Sequence, residues 1–442
     1  MLQEIFFTGR SKVLRWGRAG MWARRQRCFI ALDRFHANRK MVLILTGERR
    51  MREPARFHDL MLRERLPHCR TAFVSGPAQV GRTTSCKALS TRYLDWDDVA
   101  HRLLILKGPD AVAKHLELDR SREVTVVFDN LHGHRGWKDF LRKFQLRCSS
   151  RVRVVVTLLS HQGKLPSRSS LVRINPWTVG ECARKGLVAT PIEGPAAVSE
   201  EDWMALLEHG GFPEPFRKRD ARFTQRWHAR RQTQLIDHDL PRLAAVRDPS
   251  LLQMLGLLLS DRSATPIVYS DLSRQLGVSV DTVTRWVGLL VELQYGFCVR
   301  PWSSGVPKAL RKEPRWFLRD WSAVLDPSAR MRTLVACHLL KAVEGWTDLG
   351  FGRFELRYVR DKLQREVDFL VLRDRKPWFL VAVASESPRG GVAPSVLRYF
   401  QRITRARHAF HMVMEAGFSS ADCFALEEPA VVSARALLSQ LL

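Results

Sequence analysis

The sequence reads Gly76-Pro77-Ala78-Gln79-Val80-Gly81-Arg82-Thr83-Thr84 directly after an apolar run and directly before a segment compatible with a helix. This is the frame of a Walker A loop. Glycines in such a loop let backbone N–H groups turn around a phosphate, and the following helix directs its positive end at the same anion. All positions from Gly76 to Thr84 are therefore predicted to contact ATP, and the Thr83 hydroxyl is predicted to ligate Mg²⁺.

One position departs from the Walker A pattern, since Arg82 stands where a lysine is usual. Arginine keeps the positive charge but replaces a compact ammonium with a wide planar group. We therefore expect nucleotide binding to tolerate this change better than hydrolysis does.

A second apolar run, Val124 to Phe128, leads into Asp129 and Asn130. A carboxylate at the end of such a strand is typical of a Walker B element, so Asp129 is predicted to lie on the magnesium side of the site. The usual next residue is a glutamate. Asp129 and Asn130 are the candidate catalytic residues. Asn130 can hold the attacking water but cannot accept its proton, so its amide indicates impaired hydrolysis.

The chain is strongly basic, with 72 Lys and Arg against 45 Asp and Glu in 442 residues and a formal net charge of +27. Such a field attracts polyanions, which makes a nucleotide or DNA the expected partner. A coding bias toward arginine is the alternative source of the charge, because the basic residues are spread along the whole chain. Hydrophobic residues make up 45% of the sequence, so most of it is expected to fold.

The cysteines and the hydropathy pattern indicate the cell compartment in which the protein is expected. The eight cysteines form no Cys-x-x-Cys pair, which argues against a zinc site and against a disulfide framework. No apolar run approaches the ~18 residues that span a bilayer. We expect a cytoplasmic protein in a reducing environment, without membrane contact.

Periodicity predicts an α/β protein in several parts. Residues 1–52 are predicted to be a basic N-terminal extension, with a later translation start at Met41, Met51 or Met61 as the equal alternative. The further domains are predicted as a P-loop core with a parallel sheet at 53–200, a helical lid at 201–262, a winged helix-turn-helix at 263–306 and a C-terminal α/β domain at 307–442. Strands are predicted at 71–75, 92–96, 124–128, 152–157, 354–359, 367–372 and 378–384.

The segment from Tyr269 to Trp286 has the pattern of two short helices around Gly277, which suits a tight turn. Apolar residues at helical spacing would form the small core between the helices. The second helix would present Ser279, Thr282 and Arg285 to bases and phosphates, which makes them candidate DNA-binding residues. A packing module without DNA contact is the equal alternative, because acidic Asp281 lies on the same face.

Taken in order, these parts resemble the prokaryotic AAA-type P-loop ATPases that carry a winged helix and a C-terminal restriction-endonuclease-like domain. The resemblance extends from about Glu53 to Met414. Besides the Walker A stretch it rests on Phe128-Asp129-Asn130-Leu131-His132, Pro176-Trp177-Thr178-Val179-Gly180-Glu181, Gly210-Gly211-Phe212-Pro213-Glu214-Pro215 and Glu366-Val367-Asp368-Phe369-Leu370. The resemblance implies ATP and Mg²⁺ as ligands and a role on or near DNA.

The resemblance also implies where a nuclease centre would lie. Its strand aspartate matches Asp368, but the Glu and Lys positions of the next strand are Ala382 and Ala384, and the helix acid is Arg332. One carboxylate beside a cation cannot assemble the metal site of such enzymes. Asp368 is therefore predicted to be vestigial and nuclease activity to be absent.

Three functions agree with these observations. The leading hypothesis is an ATP-binding AAA-like protein with impaired or lost hydrolysis that acts on or near DNA. The second is a slow but active ATPase completed in trans by a neighbouring subunit of a homo-oligomer. The third is a basic DNA-binding protein whose ATPase domain is a relic.

Overall fold

The computed structural model describes residues 56–118, 123–159, 166–184, 186–244, 246–303, 313–385 and 392–442. The predicted N-terminal extension at 1–52 lies outside the described residues. The described residues belong to one compact unit. None of their helices is long and apolar enough to cross a lipid bilayer.

A five-stranded parallel sheet forms the first part of the fold, in the order β2-β3-β4-β1-β5. Its strands are β1 (Thr71–Ser75), β2 (Tyr93–Asp95), β3 (Val124–Asp129), β4 (Val152–Leu158) and β5 (Ser169–Arg173). The valine-rich central strands are buried on both faces, as expected for a sheet covered on both sides by helices. The predictions for β1, β3 and β4 are confirmed, the predicted strand at 92–96 is shorter, and β5 was not predicted.

Most helices of this first part connect one strand to the next, whereas the first helix precedes β1 and the last follows β5. The helices are α1 (Phe57–Arg65), α2 (Arg82–Lys87), α3 (Val99–Leu106), α4 (Pro109–His115), α5 (Trp137–Arg147) and α6 (Val179–Ala183). Because parallel strands end at the same edge of a sheet, the loops after β1 and β3 are brought together there. This edge carries the residues predicted from the Walker motifs.

A helical segment follows, as the sequence predicts. It consists of α7 (Glu200–His209), α8 (Pro213–Lys218), α9 (Ala221–Gln234), a π-helical turn (Leu235–Asp239), α10 (Leu240–Leu243) and α11 (Pro249–Asp261). A π-helical turn inside a helix often marks a functional position, and here it leads into the turn that carries Arg242.

The predicted pair of short helices is present as α12 (Tyr269–Leu276) and α13 (Val280–Glu292). Gly277 joins them with φ 65°, a left-handed conformation that glycine adopts without strain. Leu272, Leu276 and Val283 are buried between the helices, as predicted. The antiparallel strands β6 (Gly296–Pro301) and β7 (Arg315–Leu318) come next.

A second, mixed sheet ends the chain, with the order β12-β11-β10-β9-β8-β6-β7. Its other elements are α14 (Pro327–Leu349), β8 (Phe354–Arg360), β9 (Glu366–Arg373), β10 (Lys376–Ala384), α15 (Pro394–Thr404), β11 (His408–Val413), β12 (Ala430–Ser433) and α16 (Ala434–Ser439). The strands predicted at 354–359, 367–372 and 378–384 are confirmed. Since β6 pairs with both β7 and β8, the domain boundary predicted between 306 and 307 falls inside one sheet.

Candidate functional site

The loop from Gly76 to Gly81 connects the buried strand β1 to α2, which begins at Arg82. Gln79 and Gly81 have φ values of 64° and 104°, so the chain turns through two left-handed positions before the helix starts. A Cβ atom at Gly76 would lie 2.6 Å from the Ile174 carbonyl oxygen, so only glycine fits there. The stretch is therefore a turn at a helix start, as the Walker A pattern predicts.

Asp129, at the end of β3, is the hydrogen-bonding centre of this edge and is only 1% exposed. Its Oδ2 accepts hydrogen bonds from Thr83 Oγ1 at 2.6 Å and from the Tyr93 hydroxyl at 2.5 Å. Its Oδ1 accepts from the Thr157 hydroxyl and from the backbone N–H of Asn130. The structure thus brings the predicted pair Thr83 and Asp129 together and adds two hydroxyl side chains.

The donor set at Thr83 and Asp129 suits magnesium. Among the described residues, no three His, Cys, Asp or Glu side chains converge to hold a metal ion by themselves. Mg²⁺ commonly takes only one or two protein oxygens and completes its shell with water and substrate phosphates. The adjacent hydroxyl and carboxylate would hold the ion, which would neutralise charge on a bound polyphosphate.

Arg82, in the lysine position of the motif, lies inside the protein with 8% of its surface exposed. Burial lowers the pKa of its guanidinium, and the carboxylates of Asp129 and Asp239 oppose that shift. Its Nη1 atom is buried and has no hydrogen-bond partner in the part of the chain that the structure describes. A buried cationic donor without a partner is costly, so the side chain is suited to an anion such as a phosphate.

Asn130 has a structural role that its position in the motif does not suggest. Its φ of 53° is left-handed, a conformation that asparagine tolerates better than most residues. Its side-chain nitrogen donates to Asp95 Oδ1 at 3.3 Å and to Asp97 Oδ2 at 3.1 Å. A glutamate here would face two carboxylates, so the amide is the side chain that this surrounding requires.

The helical segment covers the loop from one side. Gln234 of α9 accepts a hydrogen bond from Gln79 of the loop, and Arg242 of α10 forms an ion pair with Asp97. Arg242 also lies near His132, whose pKa falls to about 3 because of burial and of the positive charges of Arg82 and Arg242. The helical segment therefore contacts the loop through Gln234 and the neighbouring edge of the sheet through Arg242.

Sequence reasoning missed four residues of this edge: Tyr93, Thr157, Asp239 and Arg242. Thr157 reaches Asp129 because β3 and β4 are neighbours in the sheet. Tyr93 reaches it because β2 is the neighbour on the other side.

The predicted DNA-binding residues belong to a different element, α13. Ser279 caps this helix by accepting from the Thr282 backbone N–H at 3.2 Å, and the two hydroxyls lie 2.9 Å apart. These hydroxyls therefore already have partners, which limits their freedom to contact bases. Arg285 is exposed on the surface of the same helix.

Asp368 is held by cations of the chain itself. Arg332 Nε of α14 donates to its Oδ1 at 3.2 Å, and Arg315 of β7 lies 3.8 Å from the same oxygen. Its Oδ2 accepts from the Val383 backbone N–H at 2.9 Å. With buried Ala382 and Ala384 beside it, Asp368 has the surroundings of an internal ion pair.

Comparison with known proteins gave a partial family match and distant structural similarities. A family model described as "Domain of unknown function (DUF8612)" matches residues 200–325. No curated protein matched the chain. The solved structures that are similar to parts of the chain include two ATPases. The Walker-type ATPase paby2304 of Pyrococcus abyssi shows 12% identity and a TM-score of 0.35, over 62% of this chain and 94% of that chain.

The second structure is that of the Signal Transduction ATPase with Numerous Domains (STAND) protein PH0952 of Pyrococcus horikoshii, which has a tetratricopeptide repeat sensor. It shows 11% identity and a TM-score of 0.23. The similarity covers 67% of this chain and 45% of that protein.

Proposed function

We propose that this protein binds ATP with Mg²⁺ at the loop from Gly76 to Thr84 and hydrolyses it poorly or not at all. The observation that supports the proposal is the buried Nη1 of Arg82, which has no hydrogen-bond partner among the described residues and belongs to the residue before Thr83, whose hydroxyl donates to Asp129. Backbone N–H groups and Arg82 would hold the phosphates, while Thr83 and Asp129 would hold the metal ion. The nucleotide would then organise the core against the helical segment.

Slow hydrolysis follows from the side chain after Asp129. The Asn130 side chain has no proton acceptor as strong as a carboxylate. Its amide nitrogen already donates hydrogen bonds to Asp95 and Asp97. Arg82 adds a wide planar group where a compact cation would normally reach the terminal phosphates. The same arrangement supports ATP binding, which needs hydrogen-bond donors and positive charge but no general base.

Titration of the full chain with MgATP, with phosphate release measured in parallel, tests the proposal. We expect saturable binding and turnover well below the ~1 s⁻¹ of slow ordinary enzymes. Arg82→Lys should bind ATP about as well as the unchanged chain. Arg82→Ala should bind it ~10- to 100-fold more weakly, because a charge-assisted donor is lost. Absence of saturable binding by the unchanged chain would overturn the proposal.

The same titration addresses the second hypothesis. If a neighbouring subunit completes the site, turnover per chain will rise with protein concentration, since the added group comes from another copy. DNA contact and a homo-oligomer stay predictions. The first of these rests on the net charge and on exposed Arg285.

A further inference from the structure

The helix α9 (Ala221–Gln234) carries a row of exposed arginines. Arg222, Arg226 and Arg230 recur every four residues along it, and all three are exposed to solvent. Residues four apart lie on the same side of a helix, and three of them in sequence span about 12 Å along the axis. These arginines therefore form one basic row on the surface, which we call the α9 ridge.

The charge of the α9 ridge is not neutralised within the helix. The sequence of α9 contains no Asp or Glu. In the part of the chain that the structure describes, Arg222 and Arg226 take part in no ion pair, and Arg230 has only a long contact of 3.9 Å with Glu214. Like charges four residues apart repel each other and destabilise a helix. Contact with a partner outside the helix therefore explains the row better than helix stability does.

Another basic helix of the chain shows how such charge is usually balanced. In α5, Arg142 and Lys143 both pair with Asp139, at 2.7 and 2.8 Å. Arg147 of the same helix pairs with Asp110 at 2.7 Å. These acids cancel the positive charge locally, as is common on exposed helices. The α9 ridge lacks this balance, so its positive field reaches into the solvent.

The opposite face of α9 fixes the direction in which the ridge points. Trp227 is fully buried, and the Arg231 guanidinium lies 4.1 Å from the centroid of the Phe212 ring. Arg231 also approaches Asp320 Oδ2 at 3.8 Å, and His228 Nε2 approaches the same oxygen at 3.3 Å. A helix held by buried groups presents its outer side chains on a rigid support, so less entropy is lost when a partner binds.

Duplex DNA is the partner that fits this ridge. A helix that lies on a membrane needs exposed apolar side chains beside its basic ones, and a site for single strands needs exposed aromatic rings for stacking. The two large apolar side chains of α9, Phe223 and Trp227, are half-buried and buried. Phosphates of one DNA strand follow each other at about 3.4 Å along the axis, so arginines about 6 Å apart lie close to every second phosphate.

We propose that the α9 ridge binds the phosphate backbone of duplex DNA without reading its base sequence. A guanidinium can bind a phosphate through two parallel N–H···O bonds, and each phosphate that it neutralises releases a counterion. This contact lies on the helical segment and is separate from the one that the sequence predicts for Ser279, Thr282 and Arg285 of α13. It goes beyond nucleotide binding and does not depend on it.

The salt dependence of DNA binding tests the proposal. The unchanged chain and a ridge variant with Arg222→Gln, Arg226→Gln and Arg230→Gln are titrated into a short fluorescent DNA duplex at several salt concentrations. Each lost phosphate contact removes about 0.9 from the slope of log K against log salt, so the slope should become shallower by about 3. The affinity of the ridge variant at low salt should be at least ~10-fold weaker.

A charge-matched control is available in and directly after α15. Arg398, Arg402 and Arg405 are also exposed and also take part in no ion pair among the described residues. Their joint replacement by Gln removes the same net charge from another surface and should leave the slope almost unchanged. Equal loss of affinity and slope in the two triple variants would mean that DNA responds only to the overall charge, which would overturn the α9 ridge.

Replacement of the three ridge arginines by lysine separates charge from damage to the helix. This variant keeps the phosphate-neutralising charges, so it should keep most of the salt slope, and circular dichroism should show an unchanged fold. A lysine variant as weak as the glutamine variant would contradict the proposal.

The choice of duplex DNA is tested with two further probes, single-stranded DNA and vesicles of anionic lipid. The unchanged chain should bind the duplex more tightly than either. Ridge-dependent binding that favours one of the other two probes would overturn the assignment to duplex DNA. Absence of duplex binding by the unchanged chain at low salt would overturn it as well, while nucleotide binding at the loop would be unaffected.

Discussion

Asp129→Asn is expected to weaken MgATP binding about 100-fold, at the upper end of the losses seen when a metal site loses a supporting group. The substitution keeps the side-chain shape, and the hydroxyls of Thr83, Tyr93 and Thr157 can reorient to donate or accept. What disappears is the negative charge beside the Thr83 hydroxyl. Calorimetric titration with ATP, with Mg²⁺ and with a chelator, measures the effect.

Because the loss should come from the metal ion, it should vanish in chelator, where both chains bind nucleotide equally weakly. Tyr93→Phe is the matched control, since it removes one hydrogen bond to Asp129 Oδ2 but leaves the carboxylate. It should change MgATP affinity by less than about 10-fold, the cost of one hydrogen bond. An Asp129→Asn chain with unchanged Mg²⁺ dependence would contradict the assignment of Asp129.

The central strands of the first sheet could be predicted because they are short, mostly apolar runs. A parallel strand buried on both faces needs such residues at every position. The strand β5 (Ser169–Arg173) escaped prediction because it carries serines and an arginine. It lies at the end of the sheet, where β1 is its described neighbour, so its sequence is under weaker constraint.

The candidate site was predicted only in part, for a similar reason. Local motifs identified Thr83 and Asp129 because each follows an apolar strand at a fixed spacing. Tyr93 and Thr157 reach Asp129 only through the order of strands β2, β3 and β4, which no local pattern specifies. Arg242 arrives from a helix more than a hundred residues away from the motif.

Asn130 shows how the structure changes the meaning of a motif position. From the sequence alone, Asn130 indicates only that the usual glutamate is absent, because that motif position is defined by its role in hydrolysis. In the structure it is a left-handed residue that donates to two aspartates. Restoring glutamate there would place three carboxylates together, so this single change is not a simple repair of hydrolysis.

The motif Pro176-Trp177-Thr178-Val179-Gly180-Glu181 contributes to stability rather than to chemistry. Glu181, 5% exposed, accepts hydrogen bonds from the Phe57 backbone N–H at 2.8 Å and from Lys341 of α14. Arg56 approaches it at 3.4 Å and also donates to the Asn175 carbonyl oxygen. Burial disfavours the charge of Glu181, but Arg56 and Lys341 outweigh it and lower its pKa to about 2.

Glu181→Ala should lower the free energy of unfolding by about 3–5 kcal/mol, because two buried cations lose their partner. Chemical denaturation followed by circular dichroism measures the loss. The double change Glu181→Ala with Lys341→Met should recover a large part of it, since no unpaired ammonium remains. Equal stability of the single and double variants would show that the unpaired Lys341 ammonium does not cause the loss of stability.

The loss in Glu181→Ala should also depend on pH. Burial already lowers the pKa of Lys341 to about 8, only partly opposed by Glu181, and removal of that carboxylate lowers it further. Between the lowered pKa of Lys341 in the folded variant and the ordinary lysine pKa of about 10.4, the folded chain binds fewer protons than the unfolded chain. Stability therefore rises with pH across this window, and the variant should be closer to the unchanged chain at pH 9 than at pH 6. A deficit independent of pH would indicate that lost packing, rather than a stranded charge, explains the destabilisation.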